Sequence, residues 1–346
     1  MNPKLEILRS ATKSTADTLP CKLTPRNLII CGGLAIALAA SSAFGQAERY
    51  PNRPVKLVVP FEPGGSTDST ARYLAQKLGE KLGQSFVVEN RGGAGGNIGT
   101  DLVAKAKPDG YTLLWANVAP VAINPHLYKK IPYDSVKDFA PITLATVFPN
   151  VIVVKASLPV TSANFLEKAR GELKGMSYGS AGNGSSTHLA AEWLNTSLQA
   201  QWLHVPFKGG GPALLAVAAG QVDFYVSSIP AALPMLKNGL VKAIATTGKQ
   251  RDPALQNVPT IAELGLHNYE VINWNGLLAP ANTPKGVIEA LNKATVEILS
   301  SPEAKAGLRE QGAEPAPMTT EAFTDYLRSE SAKWVKIIKM ANAKVD

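Results

Sequence analysis

The chain reads as an α/β protein of two domains, with mostly parallel sheets flanked by helices and a hinge between the domains. Three observations predict this. After residue 50, short β-branched runs alternate with amphipathic stretches, the βα order that builds parallel sheets. Glycine-rich turns repeatedly follow a strand-like run and precede a helical one, which places them at the carboxyl edge of the strands. About 299 residues follow residue 47, more than a single domain usually holds.

The first 47 residues stand apart. Lys4, Arg9, Lys13, Lys22 and Arg26 outweigh Glu6 and Asp17, and Leu28 to Ala40 is a run of thirteen uncharged residues. Small and polar residues from Ser41 to Ala47 complete the order of a cleaved secretory signal: basic, apolar, small. A permanent span needs about 20 apolar residues. Both cysteines, Cys21 and Cys31, fall in this segment, so the mature chain has no thiol and no disulfide framework. Removal of the segment takes the net charge from +8 to +5. No basic run remains, and nucleic-acid binding is not expected.

Along the mature chain, Val55–Val59 reads as a strand, Thr67–Lys81 as a helix, Phe86–Asn90 as a strand, Gly96–Lys105 as a helix and Tyr111–Ala116 as a strand. Val151–Val154 is the next strand, followed by a helix over Ser162–Leu173. Met176–Gly179, Trp202–Val205, Phe224–Ser227 and Ala243–Thr246 are strands, alternating with helices over Ser186–Asn195, Pro212–Ala219 and Pro230–Lys237. Pro284 opens a helix with Val287, Ile288, Leu291 and Ile298 on one side, and Thr320 caps a last one carrying Phe323, Leu327, Trp334 and Ile338. Crossings between domains are expected near 148–151 and 272–276. They make residues 48–150 plus 274–346 one domain and 151–273 the other.

Two loops carry the chemistry. The first is Pro60-Phe61-Glu62-Pro63-Gly64-Gly65-Ser66-Thr67-Asp68; the second runs from Tyr178 to His188. A glycine loop that opens a helix leaves backbone N–H groups unpaired with the positive end of the helix dipole behind them, which suits a small anion. Phe61, Gly64, Gly65, Ser66 and Thr67 are binding candidates in the first loop, with Asp68 as a cap or a ligand contact. Ser180, Gly182, Asn183, Gly184, Ser185, Thr187 and His188 are candidates in the second. Lys208, in the glycine turn Lys208-Gly209-Gly210-Gly211, is the nearest fixed cation, and Asp223 precedes an apolar strand where it could line the cleft or brace that turn. Each has a plain structural alternative: a tight turn, a core histidine, a solvated lysine.

Enzyme motifs fail. Gly248-Lys249 is followed by Gln250 with no P-loop glycine upstream, and neither G-x-G-x-x-G nor G-x-S-x-G occurs in register. The four histidines, His126, His188, His204 and His267, are isolated from one another in sequence, so no catalytic group, metal site or cofactor is expected.

The motifs Pro60-Phe61-x-Pro63-Gly64-Gly65-x-x-Asp68 and Glu89-Asn90-Arg91-x-Gly93-Ala94-Gly95-Gly96 resemble the opening of the Bug family, the extracytoplasmic solute receptors of tripartite tricarboxylate transporters. The resemblance continues in order through Pro108-Asp109-Gly110-Tyr111, Tyr178-Gly179-Ser180-x-Gly182-x-Gly184, Val205-Pro206-Phe207-Lys208-Gly209, Gly220-x-Val222-Asp223, Val258-Pro259-Thr260 and Trp274-Asn275-Gly276-Leu277. It implies a two-domain periplasmic clamp that holds a ligand carboxylate between residues 61–68 and 180–188, through amides, hydroxyls and waters, and delivers it to a membrane permease; a monomer is expected. Glu62 departs from the family, which usually has a neutral residue there. Turned into the cleft it would disfavour a second ligand carboxylate and favour an amine; turned out it would have no effect. An exported enzyme acting on a carboxylic acid and a ligand-sensing module for a signalling partner stay open as alternatives. Side chains near Asn117–Asn124 and Trp274 are expected to read the far end of the ligand.

Overall fold

The computed structural model describes residues 50–343. The expected leader, residues 1–47, lies outside the described residues.

Ten strands form one sheet: β1 Val55–Val59, β2 Phe86–Asn90, β3 Thr112–Asn117, β4 Phe139–Lys155, β5 Ser177–Ser180, β6 Leu203–Pro206, β7 Phe224–Ser228, β8 Val241–Thr246, β9 Ile272–Pro280 and β10 Glu314–Pro315. Their order is β2-β1-β3-β9-β4-β7-β5-β6, with β8 and β10 also pairing with β4. The α/β class is as expected, but the sheet is mixed. β1 pairs in parallel with β2 and β3, and β5 with β6 and β7. The middle, where β4 meets β9, β7 and β8, is antiparallel.

The cause is β4, a strand of 17 residues. Its first part, Phe139 to Pro149, lies against β9; from Asn150 onward it lies against β7. The sheet therefore has two halves joined by one continuous strand. The sequence reading placed a strand only at Val151–Val154 and a hinge at Asn273–Gly276. Those four residues lie within β9, whose register with β4 runs from Pro280 opposite Phe139 to Ile272 opposite Pro149.

Both faces of the sheet are covered, as period-two burial shows. Val55, Leu57 and Val59 pack into one cluster while Val58 packs into another. Val151 and Val153 divide in the same way from Ile152 and Val154. The helix Ser66–Leu82 (α1) buries Ala71, Leu74, Ala75 and Leu78, the spacing of one helical face, and ends at Gly83 in the left-handed region (φ 72°).

The last long helix, Thr320–Met340, is capped by Thr319, whose side chain accepts from the Ala322 N–H at 3.2 Å. It carries a buried acid, Glu330, only 5% exposed. Its Oε2 accepts from Trp274 Nε1 at 3.0 Å and Trp334 Nε1 at 3.1 Å, and Lys333 sits 3.3 Å from Oε1. Both indoles are fully buried, so Trp274 faces this helix and does not read a ligand. Glu330→Ala is expected to leave two buried N–H donors unpaired and to cost about 2–4 kcal/mol of stability. Urea unfolding measures it, and a loss below about 1 kcal/mol would mean the indoles have other partners.

Candidate functional site

The two loops meet across the sheet. α1 starts directly after the first loop, and a helix over Ser186–Leu198 starts directly after the second. In α1 the Asp68 and Ser69 N–H groups both return to the Gly65 carbonyl, leaving those of Ser66 and Thr67 without a partner. In the second helix Ser185 is the cap: its Oγ accepts from the His188 N–H at 3.2 Å and its carbonyl from Leu189, leaving those of Ser186 and Thr187. All four residues line one small cavity of about 40 Å³. Two helices of 17 and 13 residues thus aim their positive ends at one small space.

Thr67 adds a hydroxyl donor. Its Oγ1 accepts from Asn117 Nδ2 at 3.3 Å and Asn275 Nδ2 at 3.4 Å. Both lone pairs are engaged, so its own proton is available to the cavity. Tyr225, Ser228, Asn117, Asn273 and Phe148 complete the wall together with Phe61. Burial raises the Tyr225 pKa, so its phenol stays a donor.

The remaining polar groups of the loops hold the loops. Asp68 accepts from the Gly64 N–H at 3.1 Å and from Asn90 Nδ2 at 3.0 Å, and pairs with Arg72 at 2.9 Å. Burial alone would raise its pKa; the bonds from Arg72, Gly64 and Asn90 outweigh it and hold the carboxyl below the usual range. In the second loop, Ala181 N–H donates to Thr187 Oγ1 at 3.0 Å, Gly182 N–H to Ser180 Oγ at 3.1 Å and Gly184 N–H to His188 Nδ1 at 3.3 Å. The expected nest of glycine amides is therefore engaged within its own loop. A loop rich in hydroxyls satisfies its own donors, and the unpaired ones sit at the helix starts.

His188 is a structural residue. It is buried and stacks on His204 with ring centroids 4.0 Å apart, while His204 stacks on Tyr178 at 5.0 Å. His204 Nε2 lies 2.6 Å from Ser180 Oγ, so the pair ties the loop to its strand. Burial, helped by the charge of His204, pushes the His188 pKa down to about 3, and burial pushes His204 down to about 4.

Of the candidate residues, Phe61, Gly65, Ser66, Thr67, Asp68, Ser185 and Thr187 line the cavity. Gly64, Ser180, Gly184 and His188 do not line it. Gly182, Asn183 and Lys208 open on a second cavity of about 380 Å³, which shares Phe61 and Ala181 with the first. Asp223 is misplaced by the sequence reading. It pairs with Lys155 at 2.5 Å and accepts from the Ser177 N–H at 2.9 Å, at the opposite end of β5 from the loop. It braces the strand starts, because the residue before β7 faces the beginning of its parallel neighbour. Ser186, a hydroxyl donor of the second loop, lines the first cavity too, whereas Phe148, Tyr225, Ser228 and Asn273 were missed. Those four reach the site only through strand pairing.

The two halves touch closely around the cavity. A Cβ on Gly211 would lie 2.9 Å from the Pro63 carbonyl oxygen, and one on Gly95 (φ +63°) 2.6 Å from that of Asn183. Tyr128 Oη donates to the same Asn183 carbonyl at 2.8 Å.

Residues 70–343 match the family model described as "Tripartite tricarboxylate transporter family receptor". The chain is 39% identical over 312 residues to a UPF0065 protein from the tcbD-tcbE intergenic region of Pseudomonas sp. (strain P51), covering 89% of this chain and 93% of that one. The solved structure of R. palustris Rpa4515 with adipate is 37% identical, with a TM-score of 0.83 over 86% of this chain and all of that one. That of the periplasmic binding protein BugD is 35% identical, with a TM-score of 0.82 over 85% of this chain and 99% of that one.

Proposed function

Since the chain belongs to the tripartite tricarboxylate transporter receptor family, a family of solute-binding proteins, we propose that its ligand is a small organic carboxylate. The ligand would be held where the two helix starts converge. One observation carries this reading: residues with four unpaired N–H groups and the Thr67 hydroxyl line a single small cavity that no Lys, Arg or His lines. Neutral donors suit reversible capture of an anion. The adipate found with the Rpa4515 structure supports the carboxylate class.

In this reading the two lobes are residues 48–150 plus 274–346 and residues 151–273. The change of partner along β4 between Pro149 and Asn150 supports that division. The lobes separate to admit ligand and close because both donate to one anion. The leader 1–47 exports the chain, a membrane permease receives the ligand, and no chemical step occurs.

The test is a thermal-shift screen of short mono- and dicarboxylates on protein stripped of ligand by unfolding and refolding. At a hundred times its dissociation constant a ligand adds about 2.7 kcal/mol, which raises the melting point by roughly a few degrees at this size. A hit that stays chemically unchanged supports a receptor. Its consumption would favour an enzyme, and no hit across the panel would sink the carboxylate reading.

A further inference from the structure

One contact between the halves lies outside the inner cavity altogether. Tyr128 and Asn183 both line the outer cavity, and neither lines the inner one. In the division into lobes proposed above they belong to opposite lobes. The Tyr128 hydroxyl donates to the Asn183 carbonyl at 2.8 Å. Burial raises the Tyr128 pKa, so the phenol keeps the proton it donates.

Both sides of this bond are shaped for it. Tyr128 directly follows the short helix Asn124–Leu127, and its N–H returns to the Asn124 carbonyl at 3.1 Å. Asn124 is fully buried, and its Nδ2 donates to the Gly95 carbonyl at 3.0 Å and to Asn97 Oδ1 at 2.7 Å. The ring is thus mounted firmly on its own half. On the other half, Asn183 sits between Gly182 and Gly184, both at positive φ (118° and 79°). A Cβ on Gly184 would lie 2.8 Å from Tyr128 Cε2, and one on Gly95 3.0 Å from Tyr128 Oη and 2.6 Å from the Asn183 carbonyl oxygen. One glycine from each half leaves the space in which ring and carbonyl meet.

Such a bond exists only while the halves are together, because parting them returns both groups to water. A contact made only in the closed state favours that state without altering any contact of the ligand. We infer that Tyr128 is a positioning residue that latches the cleft shut over bound ligand and so sets how long the ligand is retained. Ligand enters while the halves are apart and the bond is unmade, so the rate of capture does not depend on it. Release requires the bond to break. This rests on the receptor reading above and deepens it.

Tyr128→Phe removes the hydroxyl and keeps the ring. Radiolabelled succinate and adipate, two acids of different length, are bound to ligand-stripped protein and chased with unlabelled acid to read release; their uptake reads capture. Release of both acids from the variant is expected to be faster by about 2- to 12-fold, the range of one net hydrogen bond, and by the same factor for each. Capture rates and the unliganded melting point should stay as in the natural protein. Unchanged release would overturn the inference and keep the receptor. So would an effect confined to adipate, which would mean that Tyr128 touches the far end of a longer ligand. A lowered unliganded melting point would also overturn it, placing the bond in the resting fold. If the natural protein bound no acid of the thermal-shift panel, the receptor reading itself would fall, and this inference with it.

Discussion

Gly211→Ala is expected to weaken ligand binding roughly 5- to 150-fold, the range of a 1–3 kcal/mol overpacking penalty. Gly211 lies in the first turn of the helix Gly210–Ala218, and its φ is not in the left-handed region, so alanine suits its backbone. Alanine is also the better helix former, by about 1 kcal/mol in a helix interior. The added methyl meets the Pro63 carbonyl oxygen at 2.9 Å and the Gly64 carbonyl carbon at 3.2 Å. These are backbone atoms of the other half and cannot rotate away. The substitution should therefore act on the approach of the halves and not on the fold of either. Calorimetric affinity and the unliganded melting point separate the two effects. Unchanged affinity would show that ligand capture does not need this contact. A large fall in the unliganded melting point would show that the contact is part of the resting fold.

The His188–His204 stack should make the protein sensitive to mild acid. Both rings are neutral in the fold, with pKa values of about 3 and about 4, and unfolded histidine titrates near 6.5. A depressed folded pKa means that the unfolded chain binds protons first. The stabilisation is thus complete above about pH 6.5 and is lost as pH falls toward the folded values. Each ring contributes a loss of about 2 kcal/mol by pH 5, so the pair gives about 4 kcal/mol, before most carboxylates begin to protonate. Urea unfolding at pH 8 and pH 5 reads this directly. His204→Gln should be less stable at pH 8, since it breaks the stack and the Ser180 contact, but should lose only about half as much on acidification. Equal stability of the natural protein at the two pH values would show that the rings are hydrated. In the folded protein the rings stay neutral through that window, so the Gly184–His188 and Ser180–His204 bonds and the ligand affinity should persist at pH 5. They should be lost only as pH falls toward about 4.

How much of this was legible depends on the range of the interaction. Local pattern placed the parallel strands correctly, because alternation of apolar residues and a following helix are properties of ten to twenty consecutive residues. It also placed both glycine loops at the carboxyl ends of strands, and with them seven residues of the cavity wall. It missed β9, whose residues Asn273 to Gly276 read as a turn: Asn, Trp, Asn and Gly are turn-like in isolation. In the fold they pair along β4 and β3 and are buried on both sides, so tertiary pairing overrides the local preference.

The sequence by itself determined the α/β class, the positions of the two loops and helix starts, and the family. Each of these is written in contiguous residues. Only the tertiary structure decided which donors face the ligand, because that depends on which partners compete for them. Thr187, Ser180 and His188 engage the loop amides, Asn117 and Asn275 engage the lone pairs of Thr67, and Asp68 is taken by Arg72 and Asn90. What those partners leave unpaired, the four helix-start amides and the Thr67 hydroxyl among them, lines the site, and a hydrogen bond between residues far apart in the chain leaves no mark in the local pattern.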